Sequence, residues 1–134
     1  MTLRSSAVRS VRAARGATTV DADTAADLSE RVPELVMEVM RRNDIANPDI
    51  VSILFTATPD ISSMHPATAA RHGVDLAGVP MTGAQELDVD GSVPLCVRLM
   101  MHFETDLTRD QVSHVYLHGA QVLRPDLVVE DQAR

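Results

Sequence analysis

The stretch Leu95 to Phe103 constrains the fold more than any other part of this chain. In an extended strand it puts Cys96, Arg98, Met100 and His102 on one face and Val97, Leu99, Met101 and Phe103 on the other. Arg98 is the anomaly of a predominantly apolar face. A buried guanidinium needs an anion, either an internal Asp or Glu or the carboxylate of a ligand.

The flanking segments suggest how that strand is covered. Val11 to Arg15 reads as a short strand ending at Gly16 and a Thr18-Thr19 turn, with Arg15 at its end. Thr24 followed by Asp27 is a capping pattern, and Leu28, Val32, Leu35, Val36, Val39 and Met40 form one apolar stripe of a long helix. Pro33 within that stripe removes a backbone bond to Ser29, so it predicts a kink or a later helix start. Ile50 to Phe55 reads as a buried strand that stops at Thr58-Pro59-Asp60. Pro66 opens a short helix that Gly73 ends, and Val79 to Thr82 is a brief strand broken by Gly83. Thr108 and Gln111 cap one or two helical turns, and Val112 to Leu117 leads into a last strand carrying Tyr116. About five short strands with one long and several short helices, without strict alternation, predict an α+β fold with a mixed sheet.

The 134 residues are 45% hydrophobic and 23% charged, enough for one core that buries roughly 68% of the unfolded surface. One domain over residues 10–125 is expected, with a disordered basic lead-in at 1–9 and a mobile acidic tail at 126–134. The first fifteen residues carry four Arg and no acid, and the remainder eight Arg against nineteen acids. No apolar run follows the basic start, so the pattern supports neither a secretory signal nor a membrane span. The single Cys96 allows no internal disulfide and suits a reducing compartment, by default the cytoplasm.

Composition also removes chemistries. The chain has no Lys, which excludes Schiff-base formation and a Walker-type phosphate loop. Three aromatics, Phe55, Phe103 and Tyr116, give nucleic-acid bases almost no stacking platform. No nucleophile elbow, dinucleotide fingerprint or zinc-helix motif is present, and neither a metal nor a cofactor is expected. His114 and His118 share a strand face but would lie about 13 Å apart, too far for one metal. By pattern alone Glu86 is an exposed loop acid or a helix N-terminal charge, Tyr116 is half-buried packing, and Cys96 is a packed thiol whose pKa Arg98 could lower.

Six ordered blocks change the weight of these residues. They are Arg15-Gly16-Ala17-Thr18-Thr19-Val20, Ala57-Thr58-Pro59-Asp60, Gln85-Glu86-Leu87-Asp88-Val89, Cys96-Val97-Arg98-Leu99-Met100-Met101, His114-Val115-Tyr116-Leu117 and Val122-Leu123-Arg124-Pro125-Asp126-Leu127. In this order and spacing, over about residues 10–128, the chain closely resembles the monofunctional α/β class of chorismate mutase. The resemblance implies a homotrimer with a barrel-like sheet core, active sites in the clefts between subunits, and cofactor-free rearrangement of chorismate to prephenate in aromatic amino-acid biosynthesis. It also implies roles. Arg98 faces the breaking ether oxygen, Arg15 and Tyr116 hold a carboxylate, and Glu86 accepts from the ring hydroxyl. Arg71 from a neighbouring subunit and Arg124 near the C-terminus line or close the cleft, with Thr82 and Leu123 as wall positions. His65, Thr68 and Gly83 stand at substrate-binding positions where the family often has Phe, Lys and Cys, and Ala84 replaces a Met.

The chemistry suits such residues. In a [3,3] rearrangement of a dicarboxylate, negative charge grows on the ether oxygen as the C–O bond breaks ahead of C–C bonding, so a fixed cation there favours the transition state over the ground state. Carboxylate clamps hold the flexible arm over the ring, and no nucleophile or general base is needed. A small-ligand module or an imine-deaminase-like hydrolase of similar trimeric architecture is the alternative, but it has no use for Arg15, Glu86, Arg98 and Tyr116 together.

Overall fold

The two-faced strand becomes the middle of a five-stranded sheet. The structure is a computed structural model and describes residues 9–123; Arg124, the lead-in before residue 9 and the 126–134 tail lie outside the described residues. In chain order it comprises β1 (Ser10–Thr19), α1 (Ala25–Arg42), β2 (Ile50–Ala57), α2 (Pro66–Gly73), β3 (Met81–Gln85), β4 (Cys96–Thr105) and β5 (Val115–Tyr116), with single-turn 3-10 segments between some of them. The sheet order is β3-β2-β4-β1-β5. β4 runs antiparallel to both its neighbours, whereas β3 and β5 pair parallel to β2 and β1, which makes the expected mixed α+β sheet.

The helices pack on the Val97 face. Leu28, Val32, Leu35, Val36 and Val39 of α1 join Ala14, Ile53, Phe55, Val97, Leu99, Met101 and Phe103 in one buried cluster. Each fully buried Val or Leu side chain contributes about 1.5–3 kcal/mol, so the α1 stripe is what holds helix to sheet. Among the described residues the face of Arg98 carries no α-helix, only a 3-10 segment, His118–Leu123, packed at its β5 side through Ala120. Its outward residues include Val11 and Leu54, both more than a third exposed.

Several elements depart from the sequence reading, each for a local reason. β1 does not end at Gly16 but continues to Thr19, so Arg15 lies within the strand rather than at its end. Gly16 serves close approach instead: a Cβ there would stand 3.1 Å from Leu35 Cδ1 and 3.2 Å from Val39 Cγ2 of α1. The helix starts at Ala25, with Thr24 Oγ1 accepting the Asp27 amide at 3.1 Å, so Pro33 does not delay it. Asp27 completes no reciprocal box, because its carboxylate accepts from Ala22 N–H at 3.0 Å. β2 is not buried on both faces but alternates, and a bulge between Ile50 and Ser52 leaves Val51 exposed. Gly83 does not break β3; it pairs with Phe55 inside the strand. The last strand shrinks to Val115–Tyr116, and a 3-10 segment, His118–Leu123, follows where the sequence offered no such signal. Arg9, placed in the disordered lead-in by sequence, donates from Nη1 to Asp49 Oδ1 at 3.1 Å and from Nη2 to the Glu104 carbonyl.

Pro33 and Gly73 explain each other. Buried Pro33 lies where a Cβ on Gly73 would come within 2.6 Å of its own Cβ, so the glycine lets α2 seat on α1. Gly73→Ala is expected to destabilise the fold by about 1–3 kcal/mol, because a rigid ring cannot yield as a flexible side chain would. Urea unfolding measures the loss, and an unchanged midpoint would show that the two helices slide apart freely. Among the described residues, no helix is long and apolar enough to cross a membrane.

Candidate active site

Strand register assembles the site on the face without an α-helix. One cross-strand row runs Thr82, Leu54, Met100 and Arg15; the next runs Ala84, Thr56, Arg98, Ala17 and Tyr116. Glu86 follows the end of β3, its amide bonded to the Ala57 carbonyl at 2.9 Å. That bond keeps the chain extended one residue beyond the strand and turns the Glu86 carboxylate back over Thr56.

The Glu86 carboxylate is the hub of the polar contacts. Its Oε2 accepts from Thr56 Oγ1 at 2.7 Å and lies 3.1 Å from Arg98 Nε. It is not an exposed loop acid, since its side chain is only 16% exposed. The Arg98 Nε–H, although near this oxygen, is not aligned on it, and Nε is a buried donor without a hydrogen-bond partner. The Arg98 side chain is nevertheless 41% exposed. Arg98 also lines an open pocket. The internal ion pair and an outward-facing cation are therefore both realised by one residue.

A pocket of about 190 Å³ opens beside it, lined by Arg15, Gly16, Leu54, Thr56, Arg98, Leu99, Met100 and Tyr116. Arg15 is exposed and has no acidic partner among the described residues. Tyr116 is 7% exposed, with Ala17, Cys96 and Ala120 packed around it and Leu123 against the same cluster. Its hydroxyl makes no hydrogen bond among the described residues. The volume falls below the roughly 300–1,000 Å³ usual for a small-molecule site, so the cleft that the described residues form is a partial one.

The remaining residues singled out by sequence stand elsewhere. Thr82 is on the edge strand β3, about 14 Å from β1 across three strand spacings. His65 precedes α2, and Thr68 and Arg71 lie on it. His65 and Gly83 line a separate pocket of about 510 Å³ together with Ser62, Ser63, Ala84 and Gln85, and no Arg reaches it. Arg71 is exposed and, like Arg15, without an anion among the described residues. The single chain thus divides the predicted site into a β1/β4/β5 group and an α2/β3 group.

Burial pushes the Cys96 thiol up to about 11, outweighing the opposing pull of the Arg98 charge. The lowered pKa considered from sequence is corrected: Cys96 is fully buried packing. Linkage gives this thiol a stabilising contribution that is complete below its ordinary value near 9 and lost as pH rises through 11. The two histidines do not share a strand face either. His114 Nδ1 accepts the Arg15 amide at 3.0 Å, and His118, with φ of 52°, turns to Glu34 Oε1 at 2.8 Å. Among the described residues, no three His, Cys, Asp or Glu side chains are gathered as metal ligands.

Three residues were given no working role by the sequence reading. Thr56 anchors Glu86, and the clasp of Thr58 and Asp60 sets the start of β4. Thr58 Oγ1 accepts the Cys96 amide at 3.0 Å, and Asp60 Oδ2 accepts that of Leu95 at 2.9 Å. Leu95 has φ of 51°, a left-handed conformation that costs a non-glycine residue about 1–2 kcal/mol. Extending the β2 alternation by two residues would have put Thr56 on the Arg98 face; nothing local announces Leu95.

Comparison with known proteins identifies the family. The family model described as chorismate mutase type I matches residues 11–127. Chorismate mutase AroH of Bacillus subtilis (strain 168) is 41% identical over 117 residues, covering 87% of this chain and 92% of that protein. Chorismate mutase AroH of Thermus thermophilus is 39% identical over 118 residues, covering 87% and 96%. A solved chorismate mutase from Clostridium thermocellum superposes with a TM-score of 0.79 at 40% identity, covering 82% of this chain and 97% of that one.

Proposed function

The chain belongs to the chorismate mutase type I family, and from that premise we propose how its residues carry out the rearrangement. The activity is that of the family: chorismate becomes prephenate, in aromatic amino-acid biosynthesis. The hydrolase and ligand-module alternative gives way to the family match. The observation that supports the mechanism is the convergence of Arg15, Arg98 and Tyr116 on one pocket, with Glu86 tied to Arg98.

Bound there, the substrate places its ether oxygen at the outer guanidinium of Arg98. The cation stabilises charge that develops only as the C–O bond breaks. Glu86 accepts from the ring hydroxyl, and Thr56 keeps its carboxylate in place. Arg15 and the Tyr116 hydroxyl hold a carboxylate, restraining the enolpyruvyl arm over the ring. Bonds break and form within the substrate, so no proton passes to the protein and no cofactor is required.

The partial cleft and the sheet face without an α-helix favour a homotrimer. In it the α2/β3 group of one subunit, His65, Thr68, Arg71, Thr82 and Gly83, completes the β1/β4/β5 pocket of the next, and the three open faces form the barrel-like core. The unpaired, buried Cys96 suits a cytoplasmic site of action. The direct test mixes the protein with chorismate and follows the loss of its absorbance and the appearance of prephenate. Conversion well above the uncatalysed rate is expected; conversion at that rate would overturn the assignment.

A further inference from the structure

Asp23 has no part in the mechanism above, yet its carboxylate gathers more donors than any other acid among the described residues. Oδ1 accepts from the Ser62 amide at 3.1 Å, the Ser63 amide at 3.0 Å and the Ser63 hydroxyl at 2.6 Å. Oδ2 shares the Ser62 amide at 3.1 Å and accepts its hydroxyl at 3.0 Å. These donors, the Ser63 hydroxyl foremost, hold the Asp23 carboxyl below its ordinary value and keep it ionised.

Asp23 is itself fixed. It directly precedes Thr24, the cap of α1, and the turn before it is closed by Asp27 on Ala22. The clasped serines lead through Met64 and His65 straight into α2, whose first residue is Pro66. Met64 makes one further contact with α1, its sulfur lying 3.8 Å from the Ser29 hydroxyl. At its far end α2 is seated by Gly73 on Pro33. The α2 limb is thus pinned at both ends, and the Asp23 clasp is the main polar tie at the end that bears His65.

We propose that Asp23 is a positioning residue for substrate binding: by clasping Ser62 and Ser63 it sets the aim of His65 and Arg71 toward the neighbouring subunit's pocket. The proposal rests on the reading that α2 completes that pocket. Without the clasp, Gly73 still seats the helix, but its N-terminal end is free to swing. Arg71 then meets the substrate carboxylate in only a fraction of conformers, and apparent affinity falls by that fraction. Arg98 on its central strand is untouched.

A coupling cycle separates this from a merely structural role. KM, kcat and thermal unfolding are measured for Asp23→Ala, Arg71→Ala and the double variant. Asp23→Ala is expected to raise KM roughly tenfold with kcat within about twofold, and to change KM by less than about twofold once Arg71 is gone. Asp23→Asn should be intermediate, since its carbonyl oxygen still accepts; it also serves if the alanine variant folds poorly. Replacing Ser62 and Ser63 together by Ala leaves both amide bonds and should raise KM only a few-fold. Equal KM ratios with and without Arg71, or a fall in kcat matching the rise in KM, would overturn the proposal. A normal KM in Asp23→Ala beside a raised KM in Arg71→Ala overturns it alone; a normal KM in Arg71→Ala overturns the underlying reading and the proposal with it.

Discussion

Exchange of Arg98 for citrulline is expected to lower kcat/KM by at least two orders of magnitude, about 3 kcal/mol of transition-state stabilisation. Citrulline keeps the planar shape and most donors but loses the charge. The proposed role uses that charge: Nε is buried near Glu86, and Arg98 lines the pocket. Arg98→Lys keeps a cation but gives up the planar fork, so it should retain more activity than citrulline and less than the native residue. Affinity for a stable ground-state analogue should fall far less than kcat/KM in the citrulline protein, because the ether oxygen carries little charge before the bond breaks. Equal losses in both would make position 98 a uniform binding contact and remove its catalytic role.

Two impaired proteins are expected to make a more active one. Arg71→Ala keeps Arg98, and Arg98→Ala keeps Arg71. If each cleft joins Arg98 of one subunit to Arg71 of the next, random mixing of the two chains into trimers restores both cations in about a quarter of the clefts. Activity at low substrate should rise well above that of either variant alone and scale with the fraction of mixed assemblies. Mixed trimers, verified by tagging the two chains differently, that gain nothing over their parents would put both cations in one subunit's cleft. A native protein that sediments as a monomer at working concentration would remove the shared cleft altogether.

What the sequence disclosed followed the physics that acts locally. Leu95 to Phe103 alternates so cleanly that its two faces were readable residue by residue, and the α1 stripe was readable because period and cap agreed. The failures lie where distant packing overrode a local rule. Gly16 and Gly83 read as breakers, yet Gly16 is small to admit Leu35 and Val39, and Gly83 passes through an edge strand with ordinary extended geometry. Ile50 to Phe55 read as buried because nothing in five apolar letters and one serine says that helices cover one side only. Glu86 was the hardest residue: by composition it is a loop acid, and only register across β2 and β4 brings it onto Thr56 and Arg98. The Asp23 clasp was invisible for the same reason, its partners lying 39 and 40 residues away.

The alternation of β4 carries a last consequence. Val97, Leu99 and Met101 belong to the core, while Arg98 and Met100 between them line the pocket. Two vocabularies are written in alternate letters of one word. Between Val97 and Met101, substitution at the three core residues costs mainly stability and at Arg98 or Met100 mainly rate. The even-numbered Cys96 before them is itself buried packing, so only within this short stretch do stability and turnover drift almost independently through point changes. An inserted or deleted residue enjoys no such latitude. It shifts the reading frame of both vocabularies at once, carrying a guanidinium into the core and a valine into the cleft.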